Sequence, residues 1–166
     1  PADLVLTREK LIDVILDAQE GTGLFGSIDD TGMVFSALAP YYLAEEGVEV
    51  NGVNSEMMNE IKNAVDDAVT LLSEKQIIDG GFGDPNSNTT STVIIGLAAL
   101  NINPHSDDRF IKHGSTLITN LLSFRTTDNK LGYRSNATAN DYACVQGFQA
   151  LAAYKNLISQ KNSNIY

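Results

Sequence analysis

A chain of 166 residues with 21 acidic against 11 basic side chains has a formal net charge of −10 and a pI near 4.4. That balance excludes nucleic acid and anionic membrane surfaces as partners, because no basic patch is present to displace counterions. The length suits one domain with a real core, and a hydrophobic content of 43% is that of a globular chain. No apolar run reaches the roughly 18 residues needed to span a bilayer, so no membrane insertion is expected. The single cysteine, Cys144, rules out an intramolecular disulfide. It lies in the apolar run YACVQGFQAL and reads as a small core residue. The start at Pro1, with no signal peptide, reads as a mature or excised segment of something longer.

Residues 7–19 predict a first helix, with Thr7 as N-cap, Glu9 in the first turn, and Leu11, Ile12, Ile15 and Leu16 on one face. The turn GTGLFG follows at 21–26. Asp29, Asp30 and Thr31 then offer caps for a second helix to about Leu43, with Pro40 near its end. A polar loop covers 44–53, and Asn54 or Ser55 caps a third helix to about Lys75. The fourth helix is placed at 90–101, the fifth at 107–124 with Gly114 interrupting its middle and leaving a late start open, and the sixth at 139–156. The polar end of the chain, LISQKNSNIY, reads as helical only at first.

The chain repeats itself. Residues 80–100 read GGFGDPNSNTTSTVIIGLAAL, and 131–151 read LGYRSNATANDYACVQGFQAL. A shortened copy, GLFGSIDDTGMVFSAL, lies at 23–38. A period of about fifty residues marks a repeat architecture, with units near 7–43, 54–101 and 107–156. Each unit pairs an amphipathic first helix with a second helix rich in small residues. A helix apolar nearly all round belongs inside, covered by an outer layer. The expected fold class is therefore all-α, with helical-hairpin repeats of about six helices in two layers.

By repeat equivalence the polar starts of the inner helices lie at one end. These are Asp29, Asp30, Thr31; Thr90, Ser91, Thr92; and Asn140, Asp141, Tyr142. Helix N-termini with adjacent hydroxyls make a polar ring suited to a ligand. Tyr41, Tyr42, Phe82, Tyr133 and Gln146 are further candidates to line it. Asp84, Asn86 and Asn88 have the 1, 3, 5 oxygen spacing of a calcium loop, but Thr89 stands where glycine belongs and Ile95 where glutamate belongs. A surface turn with an Asx cap is the alternative reading.

The stretch Gln76-Ile77-Ile78-Asp79-Gly80-Gly81-Phe82-Gly83, followed by Ser91-Thr92 and a small-residue helix, resembles the repeat of prenyltransferases, squalene–hopene cyclases and related α/α toroids. The likeness is closest to prenyltransferase-like domains of Gram-positive surface proteins. It rests on Asp30-Thr31-Gly32-Met33 through Tyr41-Tyr42, and on Lys112-His113-Gly114-Ser115 through Ser123-Phe124. It implies a partial α/α toroid, an open arc with self-association possible through its ends, and an extracellular or cell-surface location. Class II cyclases of this class use a D-x-D-D acid. Here the segment is Ser27-Ile28-Asp29-Asp30, so Asp29 aligns with the catalytic acid while the first aspartate is missing. A cap role for Asp29 or Asp30 is the alternative. The zinc site of protein prenyltransferases has no counterpart, because Cys144 and Asp141 lack a histidine.

Cobalamin carriers of the transcobalamin type are similar at Asp30-Thr31-Gly32-Met33 and at Ser91-Thr92 through Ala99-Leu100. That likeness implies a corrinoid as one possible ligand, and no other cofactor is implied. The expected function is non-catalytic binding of a small molecule or a protein partner.

Overall fold

The computed structural model describes residues 6–19, 21, 23–45 and 47–163, the last three of these by their backbone alone. Thr22 in the first turn, Glu46 in the polar loop and the final 164–166 lie outside the described residues. The described chain is all-α. It holds α1 (Arg8–Asp17), α2 (Ile28–Tyr42), α3 (Ser55–Lys75), α4 (Ser87–Ala99), α5 (Leu117–Ser123) and α6 (Asp141–Ser163), with a 3-10 turn at Asp108–Phe110 before α5. Among the described residues, β pairing is confined to isolated bridges such as Gln19 with Phe25 and Arg125 with Leu131.

Local chemistry sets the starts. Thr7 caps α1 and Asn54 caps α3, each side-chain oxygen accepting the amide three residues on. The starts of α2 and α4 lie upstream of the positions expected from sequence. Ser27 caps α2 through a capping box with Asp30, which places Asp29 and Asp30 in the first turn, where the helix dipole favours acids. Asn86 caps α4 by accepting from the Thr89 amide at 2.9 Å. Pro40 sits in the last turn of α2 without ending it, since the helix runs on to Tyr42.

The expected helix at 107–124 is a correction. Lys112 and Ser115 exchange two backbone hydrogen bonds of 2.8 Å around His113 and Gly114, both at positive φ. That turn breaks the run, and α5 begins only where Thr116 and Thr119 form a second capping box. α6 is longer than expected and continues to Ser163.

The inner helices form a row, with α4 packed against α2 on one side and α6 on the other. α3 packs against α2, α5 against α4, and the 3-10 turn against α3. The α2–α4 crossing is the closest approach. A Cβ on Gly32 would lie 2.8 Å from the Thr92 carbonyl oxygen, and one on Gly96 would run into the Gly32 carbonyl oxygen and Phe35. Around this crossing Phe35, Leu38, Ile61, Leu72, Ile94, Leu97, Leu117 and Leu121 are fully buried.

The loops that enter α2 and α4 share a side-chain clamp. Gln19 Nε2 donates to the carbonyls of Gly23 at 3.0 Å and Ala64 at 2.7 Å. Gln76 Nε2 donates to those of Gly80 at 2.8 Å and Phe110 at 3.1 Å. Each glutamine thus ties its own loop to the outer element of the next unit. In the third loop Arg125 holds the equivalent place, and its bridge partner Leu131 takes the position of Phe25. Tyr133, aligned by sequence with Phe82, therefore lies beyond the buried aromatic position, in a loop lengthened before α6.

Gly96→Ala should force α2 and α4 apart and cost about 1–3 kcal/mol, the usual range for overpacking. Gly83→Ala, whose Cβ would meet nothing within 4 Å, should stay within about 0.5 kcal/mol of the parent in the same urea titration.

Candidate ligand site

α2, α4 and α6 begin at the same end of the molecule and share an open basin of roughly 780 Å³. α2 and its cap contribute Ser27, Ile28, Asp29 and Met33. The central loop and the start of α4 contribute Phe82, Gly83, Asp84, Asn86, Asn88 and Thr89. The third loop and α6 contribute Tyr133, Asn140, Tyr142 and Gln146.

Hydrogen bonds between repeats hold the rim. Thr89 Oγ1 donates to Asp29 Oδ2 at 3.0 Å, linking α4 to α2. The Ser87 amide donates to the Tyr133 carbonyl at 3.0 Å and its hydroxyl to the Gly132 carbonyl at 2.9 Å, linking α4 to the third loop. Arg134 grips Asp84 with two bonds of 2.7 and 3.0 Å and lies 5.5 Å from the centre of the Tyr133 ring. Those bonds, and then the guanidinium charge, hold the Asp84 carboxyl below its ordinary value. The pair is exposed, so it orients the loop more than it stabilises the fold. At the far wall Gln146 Nε2 donates to the Tyr142 hydroxyl at 3.0 Å, while Gln146 Oε1 is buried with no partner.

Four of the residues expected at a ligand site line this basin: Asp29, Asn140, Tyr142 and Gln146. Phe82 and Tyr133 line it as well. Thr31, Thr90, Ser91 and Tyr41 are buried in the helix packing. Asp30 is occupied by Ser27, whose hydroxyl donates at 2.6 Å and whose amide donates at 3.1 Å. Asp141 is exposed in the first turn of α6 and does not line the basin. Tyr42 instead donates to Asp66 on α3 at 2.8 Å, and burial, followed by that hydrogen bond and the Asp66 charge, pushes its pKa up to about 12.

The calcium-spaced oxygens are engaged elsewhere. Asp84 holds Arg134, Asn86 Oδ1 caps α4, and Asn88 Oδ1 accepts from the Ser87 hydroxyl at 3.3 Å. Among the described residues no three His, Cys, Asp or Glu side chains come together as metal ligands. Cys144 has a backbone role: its Sγ accepts from the Leu131 amide at 3.3 Å.

Sequence reasoning missed Ser27, Ile28, Met33, Gly83 and Thr89. The signal for Ser27 was present, as Ser27-x-x-Asp30 immediately before an apolar run. No protein-family model matches this chain, and neither a curated protein nor a solved structure matches it.

Ser27→Ala should cost about 0.5–2 kcal/mol at neutral pH through loss of the cap. The Ser27 hydroxyl, then its amide, depress the folded Asp30 pKa. That contribution is therefore present above the unfolded value of about 3.9 and disappears as pH falls through the folded value. Urea midpoints of the two proteins should differ at pH 7 and draw closer, though not together, as pH falls and Asp30 is protonated, because the Ser27 hydroxyl's cap of the Asp30 amide does not titrate.

Proposed function

We propose that this chain is a non-catalytic binding domain, an arc of the α/α-toroid class, from a bacterial surface or secreted protein. Its ligand seat is the basin at the starts of α2, α4 and α6. The observation that carries this reading is the convergence of three helix starts on one cavity lined by polar side chains. The volume is within the usual range for small-molecule sites. Support for the toroid class and the surface location comes from the resemblance of the central repeat and the acidic composition.

The lining also selects a chemical class. Among the described residues no lysine or arginine lines the basin, while Asp29 and Asp84 do and repel an anion. Three helix N-termini oppose a cation, each equivalent to about half a positive charge. The ligand these fields leave is neutral and rich in hydroxyl or amide groups, matching the Asn, Thr and Tyr side chains of the lining. Tyr133 and Tyr142 supply ring faces for its apolar side. A neutral oligosaccharide has this chemistry.

Catalysis by Asp29 is disfavoured. An acid that protonates an alkene needs a dry apolar cavity. Asp29 stands at an open polar rim with Thr89 donating to it.

Calorimetric titration with maltotriose and chitotriose should give saturable heat, with none from glucose 6-phosphate. Gln146→Leu should weaken binding about tenfold, the worth of one hydrogen bond of ~1.4 kcal/mol. Silence from both oligosaccharides at millimolar concentration, or preference for the phosphorylated sugar, would sink this assignment. An absorbance shift on titrating cyanocobalamin would redirect it to a corrinoid.

A further inference from the structure

The three inner helices are in register through their N-caps Ser27, Asn86 and Asn140, the last accepting the Ala143 amide at 2.9 Å. Counting from the caps, the same positions do the same work in each helix. The fifth residue past the cap is Gly32 in α2, Ser91 in α4 and Val145 in α6. The eighth is Phe35, Ile94 and Phe148. In α2 and α4 all four of these residues are buried, Gly32 and Phe35 against α4. In α6 the face is bare, with Val145 56% and Phe148 76% exposed. Isolated exposed side chains are unremarkable, but a Phe and a Val at the two positions that are core twice over mark an interrupted interface.

The opposite face shows the converse pattern. The sixth and tenth positions are Thr92 and Gly96 in α4, where they are buried toward α2, and Gln146 and Ala150 in α6, where Ala150 is fully buried. In α2 the same positions are Met33 and Ala37, and both are exposed. The molecule therefore ends in two complementary surfaces. One is the face that α2 presents to α4, carried by α6. The other is the face that α4 presents to α2, carried by α2.

We infer that a second copy of this chain covers the bare face of α6, its α2 seated there head to tail, so that the α2·α4·α6 row continues across the seam. Val145 then opposes Ala37 of the second copy, as Gly32 opposes Gly96 within the chain. Phe148 meets the apolar side of the second copy's α1, where Leu11 and Val14 are exposed. The glutamine clamp of the first two loops becomes Arg125 in the third, at the lip of a small groove lined also by Lys130, Leu122 and Phe148. The α1 face that meets it bears charges of both signs, Glu9, Asp13 and Asp17 with Arg8 and Lys10, so apolar burial carries the seam. The seam shares Met33 with the basin lining, but its test does not read ligand binding.

Sedimentation velocity at rising concentration should show self-association, and Val145→Asp combined with Phe148→Asp should abolish it with the helical circular dichroism unchanged. In a Cys144→Ser background, Ala37→Cys with Val145→Cys should give intermolecular disulfides under mild oxidation, while neither single variant gives them. The parent protein remaining monomeric up to about millimolar concentration would overturn the inference, and so would efficient cross-linking by Val145→Cys alone, which means α6 pairs with α6. The oligosaccharide titration reads the basin alone, so silence there leaves this result intact.

Discussion

The contact on which the rest depends is backbone against backbone, where α2 and α4 cross at Gly32 and Gly96. Glycine inside a helix costs about 1 kcal/mol relative to alanine, so two of them facing each other reflect a packing demand. Their absence of side chains brings the helix axes close. Only at that approach can Thr89, in the first turn of α4, donate to Asp29 in the first turn of α2. The crossing therefore sets the width of the basin as well as the core. Phe35, packed beside Gly96, fills what remains of the gap.

The second constraint is the glutamine clamp, which fixes how far one repeat sits from the next. Gln19 reaches α3 and Gln76 reaches the 3-10 turn, each with the same nitrogen that closes its own loop. Gln76 Oε1 is left buried without a partner, a cost of about 1–3 kcal/mol. Turning the amide over would satisfy that oxygen with neither carbonyl, so the clamp geometry outweighs the cost. Gly80 at positive φ and Asn120 against Gly81 show how tightly this loop is packed. Arg125 stands at the corresponding place in the third loop, bridged to Leu131.

Much of this was legible in the sequence. The all-α class, the six helices and their order follow from apolar spacing and the repeat. α3 was readable to its ends, since Asn54 and Lys75 bracket one clean amphipathic run. The late start of the fifth helix was signalled by Gly114, while the His113-Gly114 turn and the Thr116 cap that fix it lie in backbone conformation. The third loop was misaligned for a related reason. Gly132-Tyr133 looks like Gly81-Phe82, but the tertiary bridge from Arg125 to Leu131 chooses the buried position.

The candidate site was half legible, and helix geometry explains which half. Side chains along a helix turn by about 100° per residue, so two neighbours among a row of polar residues rarely share a destination. Counted from the caps, the second position points to the basin in all three helices, as Asp29, Asn88 and Tyr142. The sixth does so as Met33 and Gln146. The fourth points inward and fastens the preceding loop or the outer layer. Thr31 accepts from the Phe25 amide, Thr90 donates to Asn120, and Cys144 accepts from Leu131. A cysteine thus stands where the first two repeats use threonine, and the lone thiol is accounted for by a turn it helps to close. Only the cap, set by Ser27, Asn86 and Asn140, tells which of the polar letters in each row line the basin.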